Sequence, residues 1–219
     1  MQAVVKRFGI STLVQFEDFG NQNAFRILEK YKNQYCTFND DIQGTASVAV
    51  AGLIASTRIT KKKISDNKIL FYGAGEASIG IAMLLCMAMV KEGLSWDEAR
   101  KRIWMVDSRG LLVKGRGNLT HHKEMFAQDF REMNNLEEIV RELKPSVLAG
   151  AATIGGAFNS NIIKMMAEFN ERPCIFALSN PTSKAECTAH DAYTISEVIT
   201  ALFLFRKNQK YPRRTSPDI

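Results

Sequence analysis

The sequence predicts an α/β fold: a doubly wound parallel sheet preceded by a short helix-strand-helix segment. Three observations predict it. From Lys68 onward, short β-prone apolar runs alternate with runs of helical period, the pattern of parallel strands joined by crossover helices. A glycine-rich turn, Gly73-Ala74-Gly75, falls where one such strand gives way to a helix. The 219 residues are 46% hydrophobic and 24% charged, the composition of an ordinary globular chain long enough to bury a real core.

Before Lys61 the order reads helix, strand, helix, helix. Leu13 to Phe16 is a short β-prone run, Asn21 to Tyr31 has apolar residues at helical spacing, and Ile42 to Arg58 is a long Ala/Val-rich helix. Thr60-Lys61-Lys62-Lys63 reads as a solvated connector. Lys68 to Tyr72 is then a strand, and Glu76 to Lys91 is a strongly apolar helix closed by Gly93. Ser95-Trp96-Asp97-Glu98 opens a short helix with a capping serine. Ile103 to Val106 is a strand and Leu136 to Leu143 a helix ended by Pro145. Val147 to Ala151 is a strand, Asn161 to Phe169 a helix, and Cys174 to Leu178 a strand closed by the turn Ser179-Asn180-Pro181-Thr182. At least four sheet strands are expected.

Several function classes are excluded at this level. The longest uncharged apolar stretch, Ala77 to Val90, has 14 residues against the ~18 that a membrane span needs. Cys36, Cys86, Cys174 and Cys187 are widely spaced and match no zinc pattern, so buried thiols in a reducing compartment are expected. The net charge of +6 is concentrated after Val198, where five basic residues face one acid. The body therefore lacks the basic stripe with interleaved aromatics that nucleic-acid binding needs.

The glycine turn carries the first functional signal. In Gly73-Ala74-Gly75-Glu76-Ala77-Ser78 the first glycine permits a tight turn and the second lets backbone approach a pyrophosphate, while the N–H groups of the helix start offer positive potential. Ser78 stands where the dinucleotide fingerprint has its third glycine, and is small enough for close helix packing. A tight turn in a non-binding α/β protein remains the alternative on this run alone. Asp107 ends the next strand, where an acid holds the adenosine ribose, although it lies 29 residues beyond Ser78 rather than the usual ~20; the extra helix from Ser95 accounts for the excess. Ser108, Arg109, Lys114, Arg116 and Lys123 follow. Cations there favour a 2′-phosphate and hence NADP, with NAD as the alternative if they are merely solvated loop charges.

The second signal is acidic. Glu17-Asp18 closes the first strand and Asp40-Asp41 precedes a helix. Carboxylates converging from a strand end and a helix start would suit Mg²⁺ or Mn²⁺. The competing reading is that Asp41 caps the helix and Glu17-Asp18 is a solvated turn.

Four runs in this order resemble the malic enzymes: Gln15-Phe16-Glu17-Asp18-Phe19, Tyr35 to Ala46 with Asp40-Asp41-Ile42-Gln43-Gly44 at its centre, Gly73 to Ala77, and Phe176 to Thr182. The resemblance covers Met1 to about Glu197. It implies a Rossmann-like NAD(P)-binding domain and oxidative decarboxylation of L-malate to pyruvate and CO2 with reduction of NADP. It further implies Glu17, Asp18 and Asp41 as metal ligands, with Asp40 and Asp41 in the catalytic group and Asp40 orienting its neighbours. Gly73, Ala74, Gly75, Glu76, Ala77 and Ser78 would bind pyrophosphate. Asp107, Ser108, Arg109 and Lys123 would hold the adenosine side, with Lys123 on the 2′-phosphate. Asn180 would reach the nicotinamide ribose or the substrate carboxylate.

The same resemblance sets three organisational expectations. Residues 1–60 are a remnant of the metal- and substrate-binding region, 61–197 the dinucleotide-binding domain, and 198–219 a divergent basic tail. The family's general-acid tyrosine and general-base lysine belong upstream of Met1, so a fragment that binds NAD(P) without turnover is the alternative to an active enzyme. The tail is expected to be a frayed end, or less favourably a stretch lying on a membrane surface. Partners implied are malate and pyruvate, no nucleic acid and no membrane, and the homodimers or homotetramers of the family. The compartment implied is cytosol or mitochondrial matrix rather than the secretory route.

Overall fold

The computed structural model describes residues 1–20 and 22–196, together with the backbone of 202–205. It opens with α1 (Gln2–Phe8), β1 (Val14–Phe16), α2 (Ala24–Tyr31) and β2 (Thr37–Asn39). A π-helical turn, Asp40–Gly44, leads directly into α3 (Thr45–Thr60). The alternating part follows as β3 (Ile69–Tyr72), α4 (Glu76–Lys91), α5 (Trp96–Lys101), β4 (Ile103–Asp107) and β5 (Gly110–Leu111). It continues through α6 (His121–Glu124), α7 (Leu136–Leu143), β6 (Val147–Gly150), α8 (Ser160–Phe169), β7 (Cys174–Ala177), α9 (Ala189–Ser196) and β8 (Leu202–Phe205).

The main sheet has the order β5-β4-β3-β6-β7-β8. All its pairings are parallel except β4 with β5. The chain steps from β3 outward to β4, then crosses back to β6 on the other side of β3. This reversal opens a crevice beyond the carboxyl ends of β3 and β6, the switch point at which doubly wound sheets take ligands.

Strand alternation explains the two cores. Ile69 and Phe71 of β3, with Ile103, Met105, Val147, Ala149 and Phe176, point to the face covered by α3, α4 and α5. Leu70, Val106, Leu148 and Ile175 point to the other face, against α7, α8 and α9. Because α4 closes the β3–β4 crossover and α7 to α9 close the later ones, both faces are shielded. Helix α3 lies before the expected boundary at residue 60, yet Ala46, Ala49, Val50 and Leu53 sit in the first of these cores.

Three details differ from expectation. The long helix begins at Thr45 rather than Ile42, because Asn39, with its side chain accepting from the Ile42 N–H, caps a wider turn first. The second helix begins at Ala24 rather than Asn21. The frayed end expected after residue 197 does not describe Leu202–Phe205, whose backbone pairs parallel with β7 from Cys174↔Leu202 to Ala177↔Phe205. The rest of the expected tail lies outside the described residues. Among the described residues no helix is long and apolar enough to cross a membrane.

Candidate functional site

The β3–α4 turn builds the centre of the crevice. Gly73 follows the strand with φ 111°, and a Cβ there would meet the Ala151 carbonyl oxygen at 2.5 Å and the Ala152 nitrogen at 3.0 Å, so only glycine lets the ends of β3 and β6 lie this close. Gly75 is extended and immediately precedes α4. Helical hydrogen bonding begins with Ile79 N–H to the Gly75 carbonyl, which makes Glu76, Ala77 and Ser78 the first turn of α4. Ser78 is fully buried. A close backbone approach of α4 falls two residues later, at Gly80, where a Cβ would strike the Ile42 carbonyl. That contact, which the fingerprint does not contain, packs α4 on the acidic turn.

A cleft opens over this turn, lined by Tyr72 to Gly75, Val106 to Ser108, Lys123, Ala151, Ala152 and Ile154. At its β4 end Asp107 is already engaged. One carboxylate oxygen accepts from Arg116 at 2.6 Å and Lys123 Nζ at 2.8 Å, and the other from the Arg109 N–H at 2.9 Å. Burial pushes this carboxyl upward, but the Arg116 and Lys123 hydrogen bonds and the Arg109 N–H outweigh it and hold it at about 2. Of the loop cations read from the sequence, Arg116 is the most enclosed here, with its side chain 10% exposed against 27% for Lys123. Nothing in the spacing distinguished it from Lys114. The guanidinium of Arg116 also donates to the Gly110 and Leu111 carbonyls, so it ties the returning loop to β5.

Lys123 lies on α6, and the neighbouring His122 stacks on Phe25 of α2 with ring centroids 4.2 Å apart. Burial, and then His121, lower the basicity of His122, while Glu29 opposes them. The ring stack holds the loop bearing Lys123 against the first segment of the chain.

A second cleft is lined by Asp18, Gly20, Asp41, Gly75, Glu76, Ala77 and Ala151. It shares Gly75 and Ala151 with the first. Parallel pairing of β1 with β2, ending at Phe16↔Asn39, sets Glu17-Asp18 beside Asp40-Asp41. Asp18 then turns with φ 60°, and its N–H donates to the Asp41 carboxylate at 2.9 Å. The cap belongs to Asn39, which corrects the reading of Asp41 as a helix cap. Burial first, then the charges of Asp41 and Asp18, push the Glu76 carboxyl upward, a sign of concentrated negative potential.

The predicted acidic set is therefore only partly assembled. Asp18 and Asp41 share the cleft, whereas the Glu17 carboxylate accepts from Gln15 Nε2 at 2.9 Å and does not line it. The strand's two-residue period puts Gln15 and Glu17 on one side. Among the described residues no three acidic, histidine or cysteine side chains are gathered to hold a metal ion. Two carboxylates still fit a hard cation such as Mg²⁺, which takes one or two carboxylates and fills its shell with substrate and water oxygens. Asp40 folds back over Gly44, where a Cβ would collide with its carboxylate. Asn180 is exposed in the turn after β7, and neither it nor Arg109 lines either cleft.

Fold and site together define a dinucleotide-binding α/β domain with an acidic cleft at its switch point. Comparison with known proteins places it more closely. The family model described as "Malic enzyme, NAD binding domain" matches residues 42–203, and that described as "Malic enzyme, N-terminal domain" matches residues 1–32. The chain belongs to the malic enzyme family. It is 65% identical over 197 residues to the NADP-dependent malic enzyme of Columba livia, covering 90% of this chain and 35% of that protein. The NADP-dependent malic enzyme of Mus musculus is 59% identical over 218 residues, covering 100% and 38%. The chain thus spans little more than a third of the length of these relatives. Among solved structures, the Entamoeba histolytica malic enzyme superposes with a TM-score of 0.74 at 26% identity, over 93% of this chain and 40% of that one. The NAD-dependent malic enzyme of Thermotoga maritima gives 0.72 at 26%, over 93% and 49%.

Proposed function

We propose that this chain binds NADP in the cleft over Gly73–Gly75 and serves the oxidative decarboxylation of L-malate to pyruvate and CO2. The observation that carries this reading is the shared wall: Gly75 and Ala151 line both the dinucleotide cleft and the acidic cleft, so a small acid held through a cation on Asp18 and Asp41 would lie against a cofactor crossing the switch point. Those two carboxylates are the residues that would hold Mg²⁺ or Mn²⁺, with Glu17 joining them only after leaving Gln15. A bound dinucleotide would supply a hydride acceptor beside the Gly75–Ala151 wall, and a cation held by Asp18 and Asp41 would supply charge neutralisation at the substrate oxygen.

The chain's own contributions are binding and orientation. The N–H groups opening α4 would receive the pyrophosphate. Asp40, folded over Gly44, would keep the acidic turn in place. Asn180 would need the turn after β7 to move inward to reach substrate or the nicotinamide ribose. Asp107, still paired with Arg116 and Lys123, would offer a remaining carboxylate lone pair to the adenosine ribose; Ser108 and Lys123, which line the cleft, would meet the 2′-phosphate, and Arg109 would have to swing inward to join them. A carboxylate already neutralised by two cations does not repel that phosphate as a bare one would, which favours NADP over NAD.

Homodimer or homotetramer formation, and a cytosolic or matrix compartment, are carried over as parts of the same proposal. One relative at 63% identity is named NADP-dependent malic enzyme, mitochondrial, of Homo sapiens.

The test is NADPH formation by the chain with malate and Mn²⁺, alongside NADP and NAD titrations by calorimetry. Turnover that disappears in Asp41→Asn is the expected result for a complete site. NADP binding without turnover restricts the chain to the cofactor-binding part of the reaction. Absence of binding to folded protein overturns the reading. Lys123→Gln should weaken NADP by about tenfold or more, the scale of one charge-assisted contact, and leave NAD nearly unchanged; equal losses would defeat the phosphate assignment.

A further inference from the structure

We propose that Glu186 is a positioning residue that holds the nicotinamide side of the cofactor cleft in shape. The inference rests on the dinucleotide reading above. With Asp107 and Lys123 marking the adenosine end at β4, a dinucleotide crossing the switch point must lay its other half toward β6 and β7. The segments there are the loop after β6, which lines the cleft through Ala151 and Ala152, and the Ser179–Asn180 turn after β7, which lies behind it.

Glu186 joins those two segments. It is fully buried, and among the described residues no Lys, Arg or His forms an ion pair with it. Its Oε1 accepts from the Ser179 hydroxyl at 2.5 Å and the Ala152 N–H at 3.1 Å, and its Oε2 from the Ser179 N–H at 3.5 Å. The Ser179 hydroxyl oxygen in turn accepts from the Thr153 N–H at 2.9 Å. Thr153 has φ 57°, a left-handed conformation that a β-branched residue seldom adopts unless its surroundings hold it. The carboxylate lies against Gly150, where any Cβ would collide with it. The backbone helps too, since the Phe158 N–H donates to the Glu186 carbonyl.

Burying a carboxylate without a counter-ion is unfavourable unless its hydrogen bonds are met. An apolar residue of similar size would fill the space at lower cost, but would leave Ala152 N–H and the Ser179 hydroxyl without an acceptor. A carboxylate is acceptor-only and can serve several converging donors. Glutamine cannot do so fully, because its amide would face one of those donors with another N–H. Glu186 therefore sets the spacing between two loops, one of which, through Ala151 and Ala152, lines the cofactor cleft.

Two measurements on the full chain test this. The first is amide hydrogen exchange without ligand. Glu186→Gln, and separately Ser179→Ala, should lower protection at Ala152 and Thr153 while leaving the β3–α4 turn at its original rates. Unchanged protection at Ala152 and Thr153 in both variants overturns the proposal, whatever the chain binds. The second is a pair of titrations, NADP against adenosine 2′,5′-bisphosphate, which occupies only the adenosine end. Glu186→Gln should weaken NADP by about tenfold, the scale of one lost charge-assisted hydrogen bond, and change the bisphosphate by less than about twofold. Equal weakening of both ligands would mean a purely structural role and also overturns it. Failure of the unaltered chain to bind either ligand rejects the dinucleotide reading instead, and the exchange result still decides the role of Glu186 in joining the loops.

Discussion

Asp107 shows most clearly what single residues contribute here. Its carboxyl is held at about 2, below its ordinary 3.8, so the native state binds fewer protons than the unfolded chain in that range. The resulting stabilisation is fully present above 3.8 and disappears as pH falls through about 2. Thermal melts of the chain and of Asp107→Asn should therefore differ most at neutral pH and converge toward pH 2. The cysteines give a second check. Cys86 and Cys187 are pushed up to about 12 and Cys174 upward, all by burial, whereas Cys36 is exposed. At neutral pH one equivalent of a thiol reagent should react with the native chain, at Cys36, and all four sites should react in denaturant. Asp107 and Lys123 were legible in the sequence as candidates by position and charge. Their engagement with each other was not, because it depends on how a loop of 15 intervening residues returns, and periodicity says nothing about that.

At the scale of elements, the long strands and helices were readable because each repeats its pattern several times. Most of the elements missed are short: β2, β5, α6 and β8 have 3, 2, 4 and 4 residues, too few to carry a period, whereas α9, with 8, was missed despite its length. Yet β2 is what brings the two acidic pairs side by side, so the most consequential strand for the site was the least visible. The partial assembly of that site has the same origin. Spacing can place Glu17 near a turn, but which side of the strand it occupies follows from the register with Gln15. Gly80 was likewise passed over, being outside the fingerprint, although it seats α4 against the Ile42 carbonyl. Gly80→Ala should destabilise the fold by about 2 kcal/mol through overpacking against rigid backbone, measured as a shift in denaturant midpoint at unchanged slope. A neutral substitution would show that α4 can slide on the acidic turn.

For the molecule as a whole, the two families of contacts described above converge on one strip of backbone. The sheet supplies Gly75 from one side of the switch point and Ala151 from the other. Residues 1–32 reach the same region through Asp18, and through Phe25 stacked on His122 beside Lys123. The exposed Phe8, Ile10 and Leu13 lie in this first segment. A wall shared by two clefts also has a thermodynamic consequence. Ordering it for one guest lowers the entropy still to be lost for the other, so the affinities become linked. Linkage is reciprocal: whatever factor saturating Mn²⁺ changes the NADP dissociation constant, saturating NADP must change that for Mn²⁺ by the same factor. Two calorimetric titrations run in opposite order should agree on a single number above one. A factor of one would mean that the wall is already rigid, and that the two halves of this crevice fill independently of each other.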